Sequence, residues 1–149
     1  MTAGELCNRT VYIIRANESI VEAARLMKKY HVGCLVVVEE RDTDRVPIAL
    51  VTDRDLVVKG MAEASSDLET MEVSQVMSEG LMAARDTERI HDVRKKMRAR
   101  GVRRIPVVDA EDRLQGIIAF DDMVEWMAQE LTDLAQLVSR EQQRESETS

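Results

Sequence analysis

Apolar side chains recur with the spacing of a helix at two places along the chain. At the first place they follow an i, i+3, i+4, i+7 pattern, formed by Ile20, Ala23, Ala24 and Met27. Ser19 and Glu22 form a capping-box pair at the start of this stripe, which predicts that a helix begins there. At the second place the stripe is repeated by Ile90, Val93 and Met97. The pattern predicts two amphipathic helices.

Short apolar runs follow each of these helices. The runs occupy 35–38 and 48–51 in the first copy, and 105–108 and 114–119 in the second. Their length and β-branched content favour buried strands over helices. Weakly patterned segments at 10–14 and 81–84 are expected to add a short leading strand to each copy. A further helix is predicted after the last strand, over 53–61 in the first copy and from Asp121 onward in the second.

The chain aligns with itself over most of its length. At an offset of 70, identical residues coincide at Glu18 and Glu88, Ile20 and Ile90, Met27 and Met97, Val32 and Val102, Val37 and Val107, and Val38 and Val108. At an offset of 67, 49–51 falls on 116–118, and Asp55 falls on Asp122. The order helix, strand, strand, helix therefore occurs twice. It predicts an α/β (α+β) protein with two small sheets, each carrying two helices.

These boundaries divide the chain into four segments. We expect a first repeat at 1–62, a linker rich in Glu, Ser and Asp at 63–72, a second repeat at 73–129, and a C-terminal helix extension with a frayed polar tail at 130–149. The last helix outruns its first-copy equivalent. Its apolar positions repeat at spacings of 3 and 4 and are Val124, Met127, Leu131, Leu134 and Val138. This surface either packs on its own repeat or pairs with a second copy of the chain, and we expect a homodimer.

Composition and charge narrow the function classes. The net charge of -7 and the low pI of about 5.0 argue against a nucleic-acid partner. Apolar runs are too short to span a bilayer, so we expect a cytoplasmic protein without a membrane partner. Cys7 and Cys34 lie in no metal or redox motif and are interpreted as unreactive thiols. His31 and His91 lack partners at zinc-ligand spacing, and no catalytic motif is present, so we expect neither a metal site nor an enzyme.

Two motifs carry a resemblance to a known family. The first copy reads Ala-Leu-Val-Thr-Asp-Arg-Asp-Leu at 49–56, and the second reads Gly-Ile-Ile-Ala-Phe-Asp-Asp-Met at 116–123. The second copy also contains Gly-Val-Arg-Arg-Ile-Pro-Val-Val-Asp at 101–109. Over about 6–129 the chain resembles the CBS-domain family, as a stand-alone tandem pair called a Bateman module. The resemblance implies two units packed sheet to sheet with pseudo-twofold symmetry, leaving two clefts that in many members hold AMP, ADP, ATP or S-adenosylmethionine.

Six residues are candidates for contacts with such a ligand. They are Thr52, Arg54, Asp55, Arg103, Arg104 and Asp122. A hydroxyl and free backbone N–H groups at a helix start suit a phosphate, and guanidinium groups suit phosphate oxygens. An ionised aspartate can accept both hydrogens of a ribose diol, which assigns Asp55 to one cleft and Asp122 to the other. The alternative is that Thr52 and Asp55 form only a capping box, and that the arginines are solvated surface charges.

The two clefts are not expected to be equivalent. Ala119 stands where the motif of the first copy has Thr52, and Gly33 and Cys34 stand where the second copy has Arg103 and Arg104. If the arginines of one copy face the threonine of the other, one cleft binds strongly and the second is weak or empty. The sequence leaves this geometry open.

The combined features favour a sensor that binds an adenosine-type ligand, requires no other cofactor and passes its state to an unidentified regulated protein. A rival interpretation is a ligand-free structural module that uses the same fold and its C-terminal helix for dimerisation or protein contacts. Another is a regulator that acts only on a separate enzyme or transporter. The sequence identifies neither the ligand nor the partner.

Overall fold

The helices and strands predicted from the sequence occur in the expected order, with three further short helical elements in the part of the chain that the structure describes. The structure is a computed structural model that describes residues 1–63 and 67–148, so the expected linker at 63–72 lies partly outside the described residues. The helices are α1 (Ala3–Leu6), α2 (Ile20–Tyr30), α3 (Asp53–Asp55), α4 (Ile90–Arg100) and α5 (Phe120–Thr148). The strands are β1 (Ile13–Arg15), β2 (Cys34–Arg41), β3 (Asp44–Thr52), β4 (Ala84–Arg85), β5 (Arg104–Val108) and β6 (Leu114–Ala119). A π-helical turn, Leu56–Met61, continues α3, and two short 3-10 turns, Leu68–Thr70 and Val73–Gln75, precede β4.

The strands form two three-stranded sheets with the same topology, which confirms the predicted mixed α/β fold. In each sheet the leading strand is parallel to the second strand, and the second strand is antiparallel to the third. The register of the two sheets follows the sequence repeat, because Cys34 pairs with Thr52 in the first and Arg104 pairs with Ala119 in the second. Positions equivalent in sequence are therefore equivalent in space.

The helices α2 and α4 end in the same way. Ser19 caps the start of α2, since its hydroxyl oxygen accepts a hydrogen bond from the Glu22 N–H at 3.1 Å. His31 ends α2 in the left-handed conformation with φ 56°, and Gly101 ends α4 with φ 65°. A residue in this conformation releases the chain from the helix toward the strand that follows. Both strands β2 and β5 thus begin just after a left-handed residue.

The leading segment of each repeat packs on the sheet of the other repeat. Ala3 and Cys7 are buried in the core under the second sheet, whereas Val73 and Val76 are buried in the core under the first. Two equivalent backbone hydrogen bonds, each 2.8 Å long, hold these segments: Ala3 donates to the Glu88 carbonyl and Val73 donates to the Glu18 carbonyl. We call 1–8 and 71–78 the exchanged segments.

Gly116 in β6 lets the first exchanged segment approach the second sheet. The Asn8 N–H donates to the Ile117 carbonyl at 2.9 Å, and the Ile117 N–H donates back to Asn8 at 3.0 Å. A Cβ atom at Gly116 would lie 2.6 Å from the Asn8 carbonyl oxygen and 2.7 Å from the sulfur of Cys7. Any larger residue at this position would push the segment away from the sheet.

The C-terminal helix α5 packs on the second core only near its start. Met123 is buried and Trp126 packs partly against the same core. Beyond this point Leu131 and Leu134 are 68% and 59% exposed. The helix continues through 141–148, where the polar sequence led us to expect fraying. Within the described ranges, no helix is both long and apolar enough to cross a membrane.

Candidate ligand-binding clefts

Two cavities lie where the ends of the two sheets meet. The first cleft, of about 600 Å³, is lined by the β3–α3 junction of the first repeat, the α4–β5 junction of the second and the connecting chain at 78–82. The second cleft, of about 480 Å³, is lined by the β6–α5 junction, the α2–β2 junction and the connecting chain around Asn8 to Tyr12. Each cleft therefore combines elements of both repeats.

The first cleft brings together five of the six candidate residues. They are Thr52, Arg54, Asp55, Arg103 and Arg104. The arginines of the second repeat thus face the threonine of the first, which is the geometry that the sequence left open. The structure adds Arg100 and Glu79 to this lining. The sixth candidate, Asp122, lies in the second cleft.

A capping box forms at the junction of β3 and α3. The Thr52 hydroxyl oxygen accepts from the Asp55 N–H at 3.1 Å, and the Asp55 Oδ2 atom accepts from the Thr52 N–H at 2.9 Å. Asp122 makes half of the same arrangement, because its Oδ2 atom accepts from the Ala119 N–H at 3.1 Å. Each aspartate therefore uses one carboxylate oxygen to hold its helix start. The other oxygen of Asp55, Oδ1, lies 3.5 Å from Lys59 Nζ.

The first-turn N–H groups of α3 all have acceptors within the chain, so the expectation that they are free is wrong. Asp53 donates to the Gly33 carbonyl at 3.0 Å, Arg54 donates to the Asp53 carboxylate at 2.8 Å, and the Asp55 N–H is taken by the cap. Side chains can contact a phosphate here without breaking any of these bonds. The Thr52 hydroxyl can still donate its proton, and the guanidinium groups supply the positive charge.

Arg103 connects the first cleft with the start of α5. Its Nη2 atom lies 3.6 Å from Asp121 Oδ1, and its guanidinium lies 5.1 Å from the centre of the Phe120 ring. Both partners of the ion pair are exposed, at 73% and 83% of their side-chain surface. Asp121 lines the second cleft. Our sequence analysis did not select Asp121, although the offset of 67 places it at the position of Arg54.

Cys34 and Arg104 occupy equivalent strand starts, and each lines both clefts. Burial, opposed by the charge of Arg104, raises the pKa of the Cys34 thiol to about 11. The thiol is therefore neutral at physiological pH, as expected for an unreactive cysteine. Burial also raises the pKa of Cys7. Within 1–63 and 67–148, no three His, Cys, Asp or Glu side chains gather into a metal site.

Comparison with known sequences identifies one family. The family model for the CBS domain matches residues 3–60 and 73–129. The CBS domain-containing protein YhcV of Bacillus subtilis is 36% identical over 113 residues, which is 76% of each chain. An uncharacterized protein of Methanopyrus kandleri is 30% identical over 125 residues, and the match covers 84% of this chain. The chain spans only 62% of the length of the Methanopyrus protein.

Comparison with solved structures gives the same fold. Hypoxic Response Protein I, solved with two coordinated zinc ions, has a TM-score of 0.73 and 27% identity, over 84% of this chain and 98% of its own. The CBS domain pair of protein MJ0100, solved with 5'-methylthioadenosine and S-adenosyl-L-methionine, has a TM-score of 0.73 and 22% identity, over 87% and 98% of the two chains. CBSX2, solved in complex with AMP, has a TM-score of 0.72 and 24% identity, over 86% and 96%.

Proposed function

The chain belongs to the CBS-domain family, and from this premise we propose that it is a regulatory sensor module rather than an enzyme. It binds an adenosine-containing ligand, drawn from AMP, ADP, ATP and S-adenosylmethionine, in the clefts between its two repeats. It passes the bound state to a partner protein. The structural neighbours solved with AMP or with S-adenosyl-L-methionine support an adenosine ligand.

The observation that carries this proposal is the lining of the first cleft. Thr52, Arg54 and Asp55 come from one repeat, while Arg103 and Arg104 come from the other, and all five line one cavity. Its volume of about 600 Å³ falls within the range of about 300–1,000 Å³ typical of small-molecule sites. A cleft lined by several arginines and a carboxylate suits a ligand that has both a phosphate and a ribose.

Each polar group has a distinct role in this proposal. The guanidinium groups of Arg54, Arg103 and Arg104 bind phosphate oxygens, and the Thr52 hydroxyl donates a further hydrogen bond. Asp55 keeps Oδ2 on the helix cap, and its Oδ1 atom exchanges Lys59 for the ribose diol. The cap stays intact because it uses only Oδ2. The displaced Lys59 ammonium, 3.5 Å from Oδ1, belongs to a half-exposed side chain that can move into solvent. Asp122 has the ribose role in the second cleft.

Signalling follows from the fact that each cleft joins two repeats. A ligand that contacts α3 of the first repeat and β5 of the second favours the arrangement in which these elements lie at the right separation. The ligand then changes the affinity of the module for its partner only if the partner distinguishes this arrangement from others.

Thermal unfolding with a ligand panel tests the proposal. The panel contains AMP, ADP, ATP, S-adenosylmethionine and NADH, with GMP as the control. A ligand at about 100 times its Kd adds roughly 2.7 kcal/mol to the free energy of unfolding, or about 5–10 °C in Tm. A shift limited to adenosine compounds supports the sensor function. An unchanged Tm across the panel would contradict it.

The matched variants Asp55→Asn and Asp122→Asn identify the cleft that is occupied. Asparagine keeps a side-chain oxygen for the capping bond, so both variants are expected to fold. Its amide nitrogen cannot accept a ribose hydroxyl proton. Binding of AMP, measured by calorimetry, should weaken in Asp55→Asn and remain near the wild-type value in Asp122→Asn. Equal binding in both variants and in the wild type would exclude the ribose role of Asp55.

A second candidate function is a ligand-free dimerisation module. It is favoured by α5, whose apolar residues Val124, Met127, Leu131, Leu134 and Val138 are all exposed. Such a surface on a helix is commonly an interaction site. A stable homodimer combined with no response to any nucleotide would favour this function over the sensor.

A further inference from the structure

The two clefts occupy equivalent places but differ in chemistry. From this difference we propose that the second cleft takes an adenosine compound without a phosphate group, either a neutral thioether nucleoside or a cationic sulfonium compound. The first cleft then takes the phosphorylated ligand. This inference rests on the proposed function and deepens it by giving each cleft its own ligand class.

Four equivalent positions lose a phosphate-binding group on passing from the first cleft to the second. Thr52 corresponds to Ala119, Arg54 to Asp121, Arg100 to Tyr30, and Arg103 to Gly33. The first member of each pair lines the first cleft, and the second member lines the second cleft. Ala119 has no hydroxyl group, and the other three replacements have no positive charge. Arg54 is replaced by a residue of opposite charge. A single change of this kind would be unremarkable in a surface cavity, but all four act in one direction.

The resulting balance of charge disfavours an anion in the second cleft. The first cleft has four arginines against the carboxylates of Asp55 and Glu79. The lining of the second cleft has Arg104 against Asp121 and Asp122, and Asp121 also lies 3.6 Å from Arg103 of the first cleft. A phosphate that recruits Arg103 and Arg104 into the first cleft therefore leaves the carboxylates of the second without these partners. A phosphate dianion would be repelled there, whereas a neutral or cationic group would not.

Two aromatic side chains line the second cleft, and one of them replaces an arginine of the first. Tyr12 and Tyr30 line the second cleft with their rings stacked, at a centroid distance of 4.2 Å and an interplanar angle of 16°. The equivalent positions in the first cleft are Met82 and Arg100. The Tyr30 ring already carries a cation, because Lys29 Nζ lies 5.2 Å from its centre. The tyrosine pair therefore offers aromatic surface for a purine base, and this contact requires no phosphate.

The ribose-binding carboxylate is retained while the phosphate contacts are lost. Asp122 holds the Ala119 N–H with Oδ2 at 3.1 Å, as Asp55 holds the Thr52 N–H at 2.9 Å. This bond uses only one of the two carboxylate oxygens of Asp122. The second cleft keeps the group suited to a nucleoside and lacks the groups suited to its phosphate.

Calorimetry on the full chain tests the division of ligands. The probes are 5'-methylthioadenosine, S-adenosylmethionine and AMP, and the proteins are the wild type, Asp122→Asn and Asp55→Asn. At least one phosphate-free probe should bind the wild type and weaken about tenfold or more in Asp122→Asn, the loss expected for a hydrogen bond to a charged group. It should bind Asp55→Asn normally and should not be displaced by AMP. The two phosphate-free probes show whether the cleft favours the neutral or the cationic compound.

The outcomes separate the inference from the proposed function. If neither phosphate-free probe binds, or if their binding depends on Asp55 and not on Asp122, the inference is overturned even when AMP binds. If AMP binds nowhere but 5'-methylthioadenosine binds through Asp122, the phosphate site of the proposed function fails and the inference stands.

A gain-of-function variant gives an independent check. Ala119→Thr combined with Asp121→Arg installs in the second cleft the pair that the first cleft has at Thr52 and Arg54. AMP should then bind at two sites per chain instead of one. Ala119→Thr alone is the matched control and should leave the stoichiometry at one. If the wild type already binds two AMP molecules per chain with similar affinity, the clefts do not discriminate by phosphate and the inference is wrong.

Discussion

The guanidinium of Arg103 lies 3.6 Å from the carboxylate of Asp121, and the two residues line different clefts. The same guanidinium lies over the ring of Phe120, the first residue of α5. A phosphate in the first cleft therefore competes with Asp121 and Phe120 for one cation. This competition gives the start of α5 a direct connection with the first cleft.

The first prediction concerns this competition. Asp121→Asn should strengthen AMP binding about two- to fivefold, because Arg103 is released from a pair that contributes only about 0–1 kcal/mol at such exposure. Calorimetry at low salt measures the change. Asp133→Asn, on the exposed part of the same helix, alters the net charge equally and is the control. Equal strengthening in both variants would mean that overall charge, and not the Arg103 pair, is responsible.

The sequence repeat predicted most of the fold because both local patterns and equivalent positions were visible in it. The stripe ending at Met27 and the run at 48–51 each matched an element of the structure. The repeat could not show that Val73 belongs to the first core, because periodicity states which residues are buried and not which sheet buries them. That information lies in long-range packing.

The candidate site was predicted in composition but not in hydrogen bonding. Thr52 and Arg103 line one cleft because the two units pack together. A linear sequence pattern contains no information about that packing. The Gly33 carbonyl that takes the Asp53 N–H also comes from another part of the first repeat. Asp121 was visible to the repeat alignment, and a residue-by-residue comparison of charge would have found it.

The second prediction concerns self-association through α5. Leu131→Asp should convert a dimer into a monomer, because it places a charge on the exposed apolar face where Leu131 is 68% exposed. Sedimentation velocity measures the mass. Gln129→Asp introduces the same charge on another side of the helix and should leave the dimer intact. A wild-type chain that is monomeric at high concentration would remove the basis for this prediction.

The third prediction concerns Cys34. Its folded-state pKa of about 11 lies above the ordinary thiol value of 9.0, so the protonated thiol is favoured by folding. The associated stability is present below pH 9 and is lost as the pH rises toward 11. Iodoacetamide should therefore alkylate Cys34 about a hundredfold more slowly at pH 8 than it alkylates an unperturbed cysteine, since only the thiolate reacts.

The labelling is measured by mass spectrometry in Cys7→Ala, so that Cys34 is the single thiol. The rate should rise through pH 9–11. A ligand in either cleft should slow it further, because Cys34 lines both. Rapid labelling of the folded protein at pH 8 would show that burial does not protect this thiol.

The fourth prediction concerns the exchanged segment 1–8. Gly116→Ala should lower the free energy of unfolding by about 1–3 kcal/mol, the usual effect of overpacking, because the new Cβ meets the backbone of Asn8. Gly80→Ala is the comparison: its φ of +66° is unfavourable, yet its Cβ would meet nothing within 4 Å. Gly80→Ala should cost about 1 kcal/mol through the backbone alone. Calorimetric unfolding gives both values, and a smaller loss for Gly116→Ala would indicate that the segment is not tightly held.

The exchange of segments also constrains how the protein is made on the ribosome. The first sheet cannot close its core when its own strands have emerged, because Val73 and Val76 leave the exit tunnel later. Ala3 and Cys7, synthesised first, must wait for β6 before they have a sheet to cover. The first core can therefore close once Val76 has emerged, whereas the second core closes only when β6 has emerged and Ala3 and Cys7 can pack on it.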